Sequence, residues 1–116
     1  MKIGVVSDAH GNYRSFTRCL NYLTGFNINH IYYLGDAIGY LPNIKVLDEL
    51  INLEKKVSCV FGNHEDMFLN YYDDYRKKKI YCANILNNKI KNKHINFIKT
   101  WSKFISIKIN EINMLF

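Results

Sequence analysis

The sequence predicts an α/β chain in which a parallel βαβαβ sheet is followed by helices and a β-hairpin. Three observations carry this. Short apolar, strand-like runs recur at 2–7, 30–34 and 56–61; helical periodicities separate them; and each run ends at once in a polar, glycine-bearing loop. Strands alternating with amphipathic helices through short links imply parallel strands with right-handed crossovers.

The first run holds Ile3, Val5 and Val6, long enough for a buried strand. Tyr13–Thr24 places Phe16, Cys19, Leu20 and Leu23 at i, i+3, i+4 and i+7, so a helix with all four on its apolar face is predicted, stopped by Gly25. Ile31-Tyr32-Tyr33-Leu34 forms the second strand. Pro42 is predicted to open the next helix, with Ile44, Leu47, Leu50 and Ile51 on one side. Val57-Ser58-Cys59-Val60-Phe61 makes the third strand. Residues 63–75 read as a helix capped by Asn63 with Glu65 and Asp66 in its first turn, and 80–86 and 93–101 as further helices. Phe104 to Ile109 alternates at period two, Asn110-Glu111 suits a two-residue turn, and residues 112–116 read as a returning strand.

Length and composition bound the rest. The chain has 116 residues, 48% of them apolar, which is one small domain with ample core material and excludes global disorder. Three cysteines without a Cys-x-x-Cys pair exclude a disulfide framework and a cysteine zinc finger; Cys19, Cys59 and Cys82 are read as packing residues. No apolar run approaches the roughly 18 residues of a membrane span. The N-terminus turns polar too soon for a signal-peptide core, so a cytoplasmic protein without membrane contact is expected. Residues 1–58 carry six basic and five acidic side chains, and 59–116 carry ten and five. That asymmetry is weak support for a nucleic-acid partner, because only Arg76-Lys77-Lys78-Lys79 forms a run.

Three loops carry the chemistry: Asp8-Ala9-His10-Gly11-Asn12, Gly35-Asp36-Ala37-Ile38-Gly39-Tyr40 and Gly62-Asn63-His64-Glu65. In a parallel sheet all three emerge at the C-terminal edge, where open α/β proteins bind ligands. Asp8 and His10 can point to one side, Asp36 adds a carboxylate able to bridge two cations, and Asn63 offers an amide oxygen. Mixed imidazole and carboxylate ligation suits Zn, Mn or Fe better than Ca or Mg. Two such ions would clamp a phosphoryl group and generate hydroxide as nucleophile. His64 beside them suits a donor to the phosphoryl or leaving-group oxygens. Taken singly, each residue could be a cap, a turn former or a surface histidine; three coincidences at one sheet edge argue otherwise.

Asp-x-His-Gly-Asn, Gly-Asp-x-x-Gly-Tyr and Gly-Asn-His-Glu, in this order after successive strands, resemble the calcineurin-like metallophosphoesterases, most closely their small bacterial and archaeal phosphodiesterase branch. The resemblance implies a four-layer α/β/β/α sandwich, of which residues 1–62 form one half. It implies Asp8 and His10 on a first metal, Asp36 bridging, Asn63 on a second, and His64 acting on a phosphate ester substrate. The metals it implies are two divalent transition ions, Mn, Fe, Zn or Ni. Family members continue into His-Gly and Gly-His-x-His motifs that complete both metals, and neither motif occurs here. His30 precedes its strand at the wrong end, and His94 matches no ligand position.

Residues 1–116 are therefore expected to be a single, C-terminally truncated domain, ending on Met114-Leu115-Phe116 inside a strand. One weakly held metal, low phosphodiesterase activity and a second copy or other partner over the exposed sheet follow as expectations. The alternative is a non-catalytic fragment or a protein-interaction scaffold on the same fold.

Overall fold

The computed structural model describes residues 1–116. Its elements are β1 (Ile3–Val6), α1 (Tyr13–Thr24), β2 (His30–Tyr33), α2 (Lys45–Leu53) and β3 (Val57–Cys59), then α3 (Asn63–Asn70), α4 (Tyr72–Tyr75), α5 (Ala83–Lys89) and α6 (Asn92–Lys99), and last β4 (Ser106–Ile109) and β5 (Ile112–Leu115). Single 3-10 turns precede β3 at Glu54–Lys56 and α5 at Lys79–Tyr81. The first three strands form a parallel sheet in the order β1-β2-β3, with Val5 beside Tyr32 and Tyr32 beside Ser58. Val60 extends it through a parallel bridge to Ser102. The predicted architecture is thus the observed one.

Alternation along β2 sends neighbouring side chains to opposite faces. Tyr33 is fully buried and meets Phe16 of α1 and Trp101 edge-on, at centroid distances of 5.7 and 6.0 Å. On that side α1 and α2 supply Phe16, Leu20, Val46, Leu47 and Leu50 to one core, which Phe68, Leu86 and Ile98 complete. Tyr32 faces the other way and stacks on Phe116 at 5.1 Å. This second face is thinly covered, and Val5, which shares it, remains 46% exposed. Phe104, Ile112 and Leu115 of the hairpin are exposed as well. No helix is long and apolar enough to cross a membrane.

Local departures from the sequence reading have local causes. The helix expected over 63–75 breaks at Tyr71, whose φ of −134° and ψ of 39° leave the helical region, so α3 and α4 are separate. Pro42 lies outside α2, which begins at Lys45 after Ile44 as its cap residue. The segment expected over 80–86 splits at Cys82, which adopts a left-handed conformation between the 3-10 turn and α5. Cys19 is exposed, contrary to its place in the predicted apolar stripe, and Cys82 is only partly covered. Cys59 is buried as expected, and burial pushes its thiol up to about 12. In the hairpin, Asn110 and Glu111 both have positive φ, the geometry of a two-residue turn matched to strand twist, and Ile109 pairs with Ile112.

One polar contact ties α2 to α6. Asp48 Oδ1 accepts from Lys93 Nζ at 2.9 Å and from His94 Nε2 at 2.8 Å. His94 is fully buried, and its Nδ1 accepts the Lys91 N–H at 2.9 Å, so the ring proton sits on Nε2 and is donated to Asp48. Both ring nitrogens are used structurally, which is why His94 is no metal ligand. Lys93 first, then His94, hold the Asp48 carboxyl below its ordinary value of 3.8. A depressed carboxylate contributes stability that is fully present above its unfolded value and is lost as pH falls through the folded one. Asp48→Asn is expected to cost about 1 kcal/mol at pH 7, the partial exposure of the pair weakening its charge component. In urea titrations the gap from wild type should close below about pH 4; a gap unchanged at pH 3 would exclude this pairing as its source.

Candidate metal centre

The loops after β1 and β2 are stitched together as though the strands continued. Leu34 N–H donates to Val6 C=O at 2.8 Å, Asp8 N–H to Gly35 C=O at 3.1 Å, His10 N–H to Asp36 C=O at 2.9 Å and Gly11 N–H to Ala37 C=O at 2.8 Å. The buried Tyr33 hydroxyl accepts the Ala9 N–H at 3.2 Å, which pins the residue between Asp8 and His10. Asp8, His10 and Asp36 all take left-handed backbone conformations, with φ of 57°, 45° and 57°. Asp and His tolerate that region better than most side chains, yet each such residue costs on the order of 1–3 kcal/mol. Three in one cluster mark a place where geometry is imposed by the surrounding fold.

The imposed geometry brings one ligand atom from each of Asp8, His10 and Asp36 within 4.8 Å of one another. His10 Nε2 stands 3.5 Å from Asp8 Oδ1. Its other nitrogen, Nδ1, lies 3.1 Å from the Ile38 carbonyl. A carbonyl only accepts, so Nδ1 carries the hydrogen and Nε2 presents a lone pair toward the carboxylates. A histidine oriented in this way by a backbone acceptor is the usual arrangement behind a metal ligand. The donor set therefore fits a divalent transition ion.

Asp36 also has a structural part. Its Oδ1 accepts the His64 N–H at 2.9 Å and so caps α3 from across the site. The cap residue of that helix is Gly62, and Asn63, predicted to be the cap, is its first helical residue instead. Gly62 lies against Asp36 so closely that a Cβ there would overlap the Asp36 backbone nitrogen and carboxylate. Asn63 is exposed next to this contact, and its side chain has no hydrogen-bond partner in the chain. It lines a cleft with Phe61, Asp66, Asn70 and Lys103, whereas Asp8 and His10 line a different one, so the structure does not bring Asn63 into the Asp8–His10–Asp36 group.

His64 is 3% exposed and packs against the ring of His10 at 4.8 Å. Tyr40, Tyr75 and Tyr81 surround it, and its Nδ1 is 2.8 Å from the Tyr75 hydroxyl. Burial lowers its pKa from the ordinary histidine value, which favours the neutral ring.

Sequence reasoning missed Glu65. Read there as a first-turn acidic residue, it is fully buried. Oε2 accepts the N–H groups of Asp36 and Gly62 at 2.8 and 3.0 Å, and Oε1 those of Ala37 and Ile38 at 2.8 and 3.3 Å. One carboxylate thus joins the second loop to the third. Burial pulls its pKa above the usual glutamate range, while the N–H donors pull it back toward the anion. In the sequence it stood as the last residue of the Gly-Asn-His-Glu motif, with no role at the site assigned to it.

The C-terminal edge of the parallel sheet thus gathers Asp8, His10, Asp36 and His64. Residues 1–110 match the calcineurin-like phosphoesterase superfamily domain, and the chain belongs to that family, which works with divalent metals. It is 30% identical over 118 residues to an uncharacterized protein of Methanocaldococcus jannaschii, covering 98% of this chain and 47% of that protein. Its fold is similar to that of a hypothetical protein of Pyrococcus horikoshii OT3, with a TM-score of 0.84 at 16% identity over 97% of this chain and 52% of the other. A metallophosphoesterase of Sphaerobacter thermophilus is also similar, with a TM-score of 0.69 at 19% identity over 90% of this chain and 43% of the other. The chain spans about half the length of these relatives.

Proposed function

We propose that this chain contributes to metal-dependent hydrolysis of a phosphate ester, and specifically of a phosphodiester. The observation that carries the proposal is the convergence of Asp8, His10 and Asp36, with the His10 ring turned by Ile38 to offer Nε2. Asp8, His10 and Asp36 would hold one ion of the Mn, Fe, Zn or Ni type, and Asp36 with Asn63 would reach a second. Such ions lower the pKa of a water bound to them and neutralise charge on phosphoryl oxygens.

The chain's own residues supply the remainder. Asp36 and the N-terminus of α3 are held together by the His64 N–H, so the carboxylate keeps its aim without a metal. His64 presents a donor to a phosphoryl or leaving-group oxygen, in surroundings dry enough to strengthen that hydrogen bond. With three donors from this stretch, a single ion is held weakly and exchangeably, and the pair Asp36 and Asn63 alone leaves the second position mostly empty.

The test is a titration with Mn(II) by calorimetry, joined to hydrolysis of a chromogenic phosphodiester. One weak site per chain, with slow or undetectable hydrolysis by this chain alone, is expected. No Mn(II) binding at all would overturn the reading of the site. Turnover matching that of the longer relatives would overturn the expectation of a weak single metal.

A further inference from the structure

We infer that Tyr75 is a positioning residue that occupies Nδ1 of the His64 ring and keeps the ring hydrogen on Nε2, so that His64 meets its substrate as an N–H donor; this rests on the reading of His64 given above.

The argument is one of hydrogen accounting. The Tyr75 hydroxyl lies 2.8 Å from His64 Nδ1, and that nitrogen is its sole partner in the chain. Tyr75 is 2% exposed, so water does not replace a missing acceptor. Burial also raises the phenol well above its ordinary range, so the hydroxyl keeps its hydrogen. That hydrogen has one acceptor within reach, the Nδ1 lone pair, and a lone pair on Nδ1 puts the ring hydrogen on Nε2. The reverse pairing, with Nδ1–H donating to the phenol oxygen, would strand the phenolic hydrogen in a dry site at a cost of about 1–3 kcal/mol.

Both partners are held against rotation. Tyr75 stacks on Tyr81 at 4.8 Å with an interplanar angle of 20° and meets Phe68 edge-on. The His64 ring is pressed to the backbone of Gly39, where an added Cβ would overlap Nδ1, and it lies 4.8 Å from both His10 and Tyr81. A ring fixed in this way has Nδ1 occupied by Tyr75 and leaves Nε2–H as the group available to a phosphoryl or leaving-group oxygen.

Long-range proton–nitrogen NMR on the metal-free 116-residue chain, labelled with ¹⁵N at histidine, tests this near pH 8. For His64, a protonated Nε2 and an unprotonated Nδ1 displaced by an accepted hydrogen bond are expected. In Tyr75→Phe that displacement should vanish. A wild-type spectrum with the hydrogen on Nδ1 would overturn the inference, as would a Tyr75→Phe spectrum identical to wild type. The wild-type spectrum decides even where the variant fails to fold. Neither metal nor substrate enters the measurement, so a chain with the expected spectrum and no metal binding would sink the functional reading alone.

Discussion

Glu65→Ala is expected to lower the free energy of unfolding by about 3–4 kcal/mol, a large fraction of the 5–15 kcal/mol typical of a small domain. The carboxylate is the acceptor for four backbone N–H groups, those of Asp36, Ala37, Ile38 and Gly62. Hydrogen bonds to a buried charge contribute about 1.5–3 kcal/mol each, but four on one group are not additive, and water entering the vacated space recovers part of the loss. Glu65→Gln separates charge from shape. The amide keeps one carbonyl oxygen for two of the donors, while its NH₂ group confronts the other two. About 2 kcal/mol is expected for it, read as a lower urea midpoint at unchanged slope. A Glu65→Gln protein within 0.5 kcal/mol of wild type would show that the four contacts do not hold the loops together.

The contrast between Glu65 and the metal-binding candidates explains what was legible in the sequence. Asp8, His10 and Asp36 lie just past the first two apolar runs, the last two beside Gly11 and Gly35, so strand direction alone carries them to one edge. The hairpin was equally readable, because period-two alternation and a two-residue polar turn fix the register between Ile109 and Ile112. Glu65 satisfies backbone groups 27 to 29 residues away, and backbone donors leave no trace in side-chain identity. Tyr75 is concealed for a related reason: its partner, His64, is 11 residues distant across a helix break at Tyr71 that no proline or glycine announces. Cys19 failed on angle. Phe16, Leu20 and Leu23 define the apolar stripe of α1, and at about 100° per residue Cys19 falls on its margin, which is solvent-facing here.

Asp36→Asn is expected to reduce Mn(II) affinity by more than about 100-fold while leaving the metal-free fold almost unchanged. Losing even a group that orients a ligand costs about 10–100-fold in affinity, so loss of a carboxylate from the proposed ligand set should cost more. Asparagine is the informative replacement because it keeps every other feature of the position. It tolerates the left-handed backbone at φ of 57°, and its Oδ1 can still accept the His64 N–H that caps α3. Removing the negative charge also relieves repulsion with the buried Glu65 carboxylate, which opposes any small loss of stability. Thermodynamic linkage separates the two parts of Asp36 in one experiment. At a Mn(II) concentration 100 times its dissociation constant, wild type should gain about 2.7 kcal/mol against unfolding, and Asp36→Asn at the same concentration almost nothing. Equal stabilisation of the two proteins would remove Asp36 from the ligand set. A metal-free loss as large as that of Glu65→Ala would mean that the charge of Asp36, rather than its shape, builds the loop, and the left-handed cluster would then be held by electrostatics within the chain.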